Sequence, residues 1–146
     1  MPDSRKTSSI LIVVAAVAVR EGRVLLTRRK PGAHLEHHWE FPGGKLEPGE
    51  EPAHALIREI EEELGVEATV EAPFAFNYHA YPEKRVLLLT YAVSLAGRPE
   101  PLGCAELGWF DAEAVGKLLM PPADGPILER LIPRLVAGRS AGDPPG

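Results

Sequence analysis

The chain has 146 residues, 25% of them charged, a net charge of -5 and a near-average apolar fraction, which suits one compact domain with a single core. The acidic balance argues against a broad phosphate-backbone footprint, and so against a stable nucleic-acid partner, but small anionic ligands stay open because a metal ion can supply positive charge locally. The single cysteine, Cys104, excludes an internal disulfide framework and a Cys-rich zinc site, and points to a reducing, cytoplasmic setting.

Residues 1–8 are small and polar and are expected to be disordered. Arg5 and Lys6 ahead of the apolar run 10–19 superficially resemble the start of a secretory signal, but the run is β-branched, short and followed at once by a turn. It reads as a buried first strand, too short to span a membrane. Arg20-Glu21-Gly22 turns the chain into a second strand at Arg23–Arg28, with Gly22 free to take positive φ. Residues 30–38, with a Pro-Gly pair and His34, His37 and His38, show no periodicity and read as a loop. The histidines lack a helix to fix them, so they suggest a polar rim rather than a zinc site. The loop leads into Trp39-Glu40-Phe41-Pro42-Gly43-Gly44, whose two glycines read as a turn or a close backbone approach.

The clearest helix is Pro52–Leu64, with proline in its first turn, Gly65 placed to end it, and Ala53, Leu56, Ile57, Ile60 and Leu64 on one arc. Runs at 66–70, 74–78, 85–95 and 107–110 look like further strands, giving a mixed sheet. Residues 111–119 form a short helix capped by Asp111, and Asp124-Gly125-Pro126 opens another towards Val136, which Pro133 should kink or shorten. Trp39, Trp109, Phe74 and Phe76 are assigned to the core. Residues 138–146 are expected to be disordered, leaving 9–137 as one domain without repeat or linker.

Glu59, Glu62 and Glu63 stand in an i, i+3, i+4 relation on the helix, so three carboxylates neighbour one another beside the apolar arc. From position 47 to 63 there are seven glutamates against one formal cation, Arg58, and that imbalance requires compensation. A hard divalent cation would supply it, because Mg²⁺ takes oxygen ligands and is held by a few carboxylates with substrate phosphates. An acidic solvated surface explains the helix alone equally well. The preceding Gly43-Gly44, at fixed distance from the three carboxylates, and Arg58 beside them favour the cation.

Gly44, five residues, Glu50, seven residues and then Arg58-Glu59-Ile60-Glu61-Glu62-Glu63-Leu64-Gly65-Val66 fill every specified position of the Nudix box, so the chain resembles the Nudix family. Similarity to its MutT-like branch extends through Thr27-Arg28-Arg29, His34, residues 39–45, Trp109 and Pro121-Pro122-Ala123-Asp124. The resemblance implies an α/β/α sandwich with a mixed β-sheet. It also implies that Glu59, Glu62 and Glu63, with the Gly44 carbonyl, hold Mg²⁺ (Mn²⁺ as substitute), that Arg58 positions a glutamate, and that a nucleoside triphosphate is cleaved to monophosphate and pyrophosphate.

Arg29, Phe41, Gly43, Lys45, Tyr81 and Asp124 are the candidate substrate contacts, with core packing competing for Phe41 and Tyr81. Asp124 sits where relatives carry an amide or acid resembling a base reader. Ionised, it only accepts, which favours amino-bearing bases; a helix N-cap is the competing role. The family often carries a further carboxylate where this chain has Gly103, so Glu106, with Glu100 nearby, is the candidate general base or else a solvated acid. Other nucleoside-diphosphate compounds (nucleotide sugars, dinucleoside polyphosphates, capped RNA) and a non-catalytic binding module are the alternatives. The base, its oxidation state, the number of metals and the choice between monomer and homodimer are open.

Overall fold

The computed structural model describes residues 9–138. Eight strands form two four-stranded sheets. The first has the order β5-β1-β7-β6: β1 (Ile10–Val17) runs parallel to β7 (Arg85–Ala96) and antiparallel to β5 (Gly43–Lys45), and β6 (Glu67–Ala80) closes the far edge against β7. In the second, β3 (Arg23–Arg28) pairs antiparallel with β2 (Val19–Arg20), β4 (Trp39–Glu40) and β8 (Glu106–Phe110). Alternate residues of β1 feed two cores, as the period of a strand requires. Val14 and Ala16 pack with Leu56, Ile60 and Leu64 of α1 (Pro52–Leu64), whereas Ala15 and Val17 pack with Val115 of α2 (Ala112–Val115) and Ile127, Leu131 and Leu135 of α3 (Gly125–Val136). The expected α/β/α arrangement follows from that alternation.

α1 starts with Pro52, whose missing N–H would be unbonded there anyway, and ends at Gly65, which takes the left-handed conformation at φ 69°. Leu56, Ile60 and Leu64 are fully buried. Each contributes up to about 1.5–3 kcal/mol of transfer free energy, and that anchors the opposite, acidic face of the helix.

Several boundaries differ from the sequence reading. The run 10–19 is two strands, because the chain leaves the first sheet at Val17 and Val19 joins the second; Glu21 and Gly22, both at positive φ, make the tight turn to β3. Gly43-Gly44 lies in a short strand, with Val14 opposite Gly44, and not in a turn. The separate strands expected at 66–70 and 74–78 are one strand, β6, that accommodates Pro73 at the sheet edge with register shifts between Val70 and Ala72 and between Pro73 and Ala75. Thr90 Oγ1 repairs the second shift by accepting from Ala75 N–H and donating to Ala75 O.

Asp111 caps α2 as expected, accepting from Ala114 N–H at 2.8 Å. The helix stops four residues early, and Leu119 gives its carbonyl to Trp39 N–H. α3 runs past Pro133 to Val136, and Gly138 closes its end with its N–H on Leu135 O, so the shortening at Pro133 does not occur. Of the disorder expected at 1–8 and 138–146, Gly138 is instead ordered by that bond, and the rest lies outside the described residues.

Candidate active site

Arg58 organises the acidic face. Its Nε and Nη2 donate to both oxygens of Glu50 at 2.8 and 2.9 Å, and its Nη1 lies 3.2 Å from Glu59 and Glu62. The bidentate pair holds the Glu50 carboxyl below its ordinary range, helped by Glu47 N–H. Glu59 reaches across to β5: a Cβ on Gly44 would run into its carboxylate, while a Cβ on Gly43 would run into the Val14 carbonyl. Both glycines are therefore dictated by close approach.

The three neighbouring glutamates occupy three environments. Glu62 is exposed and Glu59 partly buried, with its carboxyl pushed up by burial and offset by Arg58. Glu63 is not on the solvent side, as a uniform acidic arc would have it. It turns towards the sheet, where burial first and Glu40 second push its carboxyl up to about 7. Thr27, buried beside it, turns its hydroxyl towards the Glu63 carboxylate and partly offsets that rise.

Among the described residues no group of three His, Cys, Asp or Glu is already gathered as a metal site, since Glu59 and Glu62 lean on Arg58. The donor chemistry nevertheless suits a hard cation: the ligands are oxygens, and Glu59 and Glu63 are crowded by burial and like charge that a cation would relieve.

A cavity of about 260 Å³ opens beside this face. Arg29, Phe41, Gly43, Lys45, Tyr81 and Asp124 all line it, together with Gly44 and with Glu40, His34 and Lys84, which residue patterns did not mark as contacts. Arg29 donates to Glu40 at 2.8 Å and to His34 O at 2.6 Å. The Arg29–Glu40 pair also lines a second cavity of about 200 Å³ with Glu63, Gly103, Arg28 and Lys30, so it stands between the two.

Asp124 is only 7% exposed and accepts from Phe41 N–H at 3.3 Å. Its side chain caps no helix, which removes the N-cap reading. Burial, then Glu40, pushes its carboxyl up to about 7, so at neutral pH it is not simply the ionised acceptor assumed from sequence. The Tyr81 hydroxyl accepts from Ala123 N–H at 3.2 Å, and its ring meets His79 edge-on. Phe41 is buried and contributes both core packing and that backbone donor.

Glu106 lies apart, half-exposed at the start of β8 and paired with Arg28 at 2.8 Å. Gly103 packs directly on α1: its N–H donates to Glu63 O, and a Cβ would lie 3.2 Å from Glu63 Cα. His34 stands 3.7 Å from Glu83 and His37 3.0 Å from Glu36, and the loop histidines form no shared ligand set. Phe76, assigned to the core, is 73% exposed; Phe74 does pack inward and lies beneath Arg134.

The fold is thus a mixed-sheet α/β/α domain that sets a carboxylate-bearing helix against a diglycine strand, beside a small, partly open cavity. The chain belongs to the Nudix family: the model described as NUDIX domain matches residues 10–131. It is similar to a CTP pyrophosphohydrolase of Escherichia coli, at 36% identity over 80% of this chain and 87% of that protein. It is likewise similar to an 8-oxo-dGTP diphosphatase of Haemophilus influenzae, at 34% over 84% and 92%. Among solved structures, a MutT NUDIX hydrolase from Burkholderia pseudomallei superposes with a TM-score of 0.78 at 28% identity, covering 85% of this chain and 99% of that one. The chain is a Nudix hydrolase of the MutT-like kind. No helix among the described residues is long and apolar enough to cross a membrane.

Proposed function

We propose that the chain is a Mg²⁺-dependent pyrophosphohydrolase that cleaves a nucleoside triphosphate to the monophosphate and pyrophosphate. The observation that carries this is the adjacency of the crowded glutamates of α1 to a cavity of about 260 Å³, below the usual range for drug-sized ligands and suited to one base with its sugar. Similarity to proteins named CTP pyrophosphohydrolase and 8-oxo-dGTP diphosphatase supports the same substrate class.

Nudix hydrolases use divalent cations. Here Glu59, Glu62, Glu63 and the Gly44 carbonyl would hold the ion, whose chemistry is to offset the charge of the diphosphate bridge and acidify a water. The chain's own groups do the rest. Arg58 keeps Glu50, Glu59 and Glu62 in one register, and Arg29 and Lys45 bring positive charge to the phosphates. Phe41 and Tyr81 wall the base, and Asp124 reads it. With Phe41 N–H on Oδ2, Oδ1 is left for the base: ionised, it accepts from an exocyclic amine, and protonated, it donates to a carbonyl. Glu106 serves poorly as the general base while Arg28 holds it.

A panel of undamaged and oxidised nucleoside triphosphates with Mg²⁺, resolving pyrophosphate from orthophosphate, tests the reading. Pyrophosphate with monophosphate is expected. Exclusive turnover of nucleotide sugars or dinucleoside polyphosphates, or no turnover of any, contradicts it.

A further inference from the structure

The turn that carries Asp124 is held from a strand far away in sequence. Pro122–Asp124 form one turn of 3-10 helix, closed by Asp124 N–H on the carbonyl of its N-cap, Pro121. Both polar groups of Ala123, itself 5% exposed, are engaged by side chains of the β6 arm. Tyr81 Oη accepts from Ala123 N–H at 3.2 Å, and Asn77 Nδ2 donates to Ala123 O at 2.9 Å. That carbonyl belongs to the peptide plane joining Ala123 to Asp124. Fixing its direction fixes where the Asp124 side chain starts.

Asn77 and Tyr81 are four residues apart, so they share one face of an extended chain. The two irregularities of β6, between Val70 and Ala72 and between Pro73 and Ala75, each add one residue, so together they restore the alternation of faces and advance the pairing by two residues. With both, Asn77 lies opposite Leu88 of the cavity wall, whereas Phe76 and Tyr78 point to the other side and are exposed. The starting register of β6 would instead set Asn77 opposite Val86, on the same face but one cross-strand repeat away from Leu88.

We infer that Asn77 is a positioning residue for base selection, clamping the Ala123 carbonyl so that Asp124 stays aimed into the cavity with Phe41 N–H on one of its oxygens. The inference rests on the nucleotide reading for its effect on selectivity, but the clamp itself does not. In Asn77→Asp the donor is lost and a carboxylate oxygen confronts a carbonyl oxygen. In Asn77→Gln a donor is kept.

Two measurements test it. Without substrate, amide hydrogen exchange at Phe41 reports whether Asp124 still accepts, and exchange at Ile60, in the far core, reports global loosening. Asn77→Asp should speed Phe41 exchange by about tenfold, the scale of one lost hydrogen bond, leave Ile60 unchanged, and be reversed by Asn77→Gln. Asn77→Ser, with too short a reach for the carbonyl, replaces Asn77→Asp if that variant does not fold. Unchanged Phe41 exchange, or a rise shared by Ile60, overturns the clamp. With CTP and UTP as probes, Asn77→Asp should raise KM more than it lowers kcat and pull the kcat/KM ratio towards one, and it should add nothing in an Asp124→Ala background. A wild-type protein that hydrolyses no nucleoside triphosphate defeats the proposed function and leaves the exchange result to decide the clamp. A wild-type ratio preserved in Asn77→Asp overturns the role in selection.

Discussion

The carboxylate face of α1 and the wall of the neighbouring cavity are built in opposite ways. The face is written in one stretch: Arg58 meets Glu50 eight residues back, Glu59 one residue on and Glu62 four on. The wall is assembled from afar, with Phe41 and Asp124 83 positions apart, Asn77 and Ala123 46 apart, and Tyr81 and Ala123 42 apart. Helical spacing and the short lead-in that carries Glu50 create the first, which therefore depends mostly on residues near it in the chain. The second exists only when the sheets have closed, and it inherits every register decision made on the way.

The largest separation between the two should come from turnover. Glu62→Gln and Glu63→Gln are each expected to lower kcat by about 10³-fold, the scale of several kcal/mol of transition-state stabilisation from a bound ion, with circular dichroism and melting little changed. Glu62 is exposed, and exposed ion pairs contribute only about 0–1 kcal/mol.

The two glycines sharpen the contrast within β5. Gly43→Ala drives a Cβ into the Val14 backbone and should destabilise by about 1–3 kcal/mol or more in denaturant melts. Gly44→Ala meets only the movable Glu59 carboxylate, so it should fold but lose activity. Equal stability loss in both would break the assignment of Glu59 to that contact.

Divalent metal should raise the melting temperature, by about 2.7 kcal/mol of stability at a hundredfold excess over Kd, and EDTA should reverse it. A melt indifferent to millimolar Mg²⁺ and Mn²⁺ would mean that the face needs substrate phosphates to complete it.

The smallest effect is in pH. Asp124 and Glu63 both have carboxyls raised to about 7 by burial and by Glu40, so folding takes up protons between their unfolded values near 4 and about 7. Their contribution is fully present below pH 4 and is lost as pH rises through 7, which makes the metal-free protein less stable at pH 8 than at pH 5. Asp124→Asn should flatten that slope in part, as read by chemical denaturation at each pH. The preference for amino-bearing bases should strengthen across the same interval, as Asp124 ionises.

This difference in construction also decides what could be read in advance. The helix, its apolar arc and its acidic face follow from residues within hydrogen-bonding reach along the chain, and the Gly43-Gly44 pair already points to the close approach that Glu59 makes over Gly44. Glu63 was misplaced because helical spacing does not say which acid lies under the sheet edge. Asp124 looked like a cap because the local sequence ends in Gly-Pro; only the distant Phe41 amide shows otherwise. Asn77 carries no local signal, since its partner Ala123 lies 46 positions away and its place opposite Leu88 depends on both register shifts of β6, where the sequence suggests a break between strands.

The account requires the two regions to be separable in function, and kcat/KM for CTP, UTP and dGTP in Glu62→Gln and Asp124→Asn, each against wild type with Mg²⁺ present, tests that directly. Glu62→Gln should lower all three by the same large factor, and Asp124→Asn should change their ratios with a much smaller loss. Near-normal turnover in Glu62→Gln, or altered base ratios in that variant with unaltered ratios in Asp124→Asn, would contradict it.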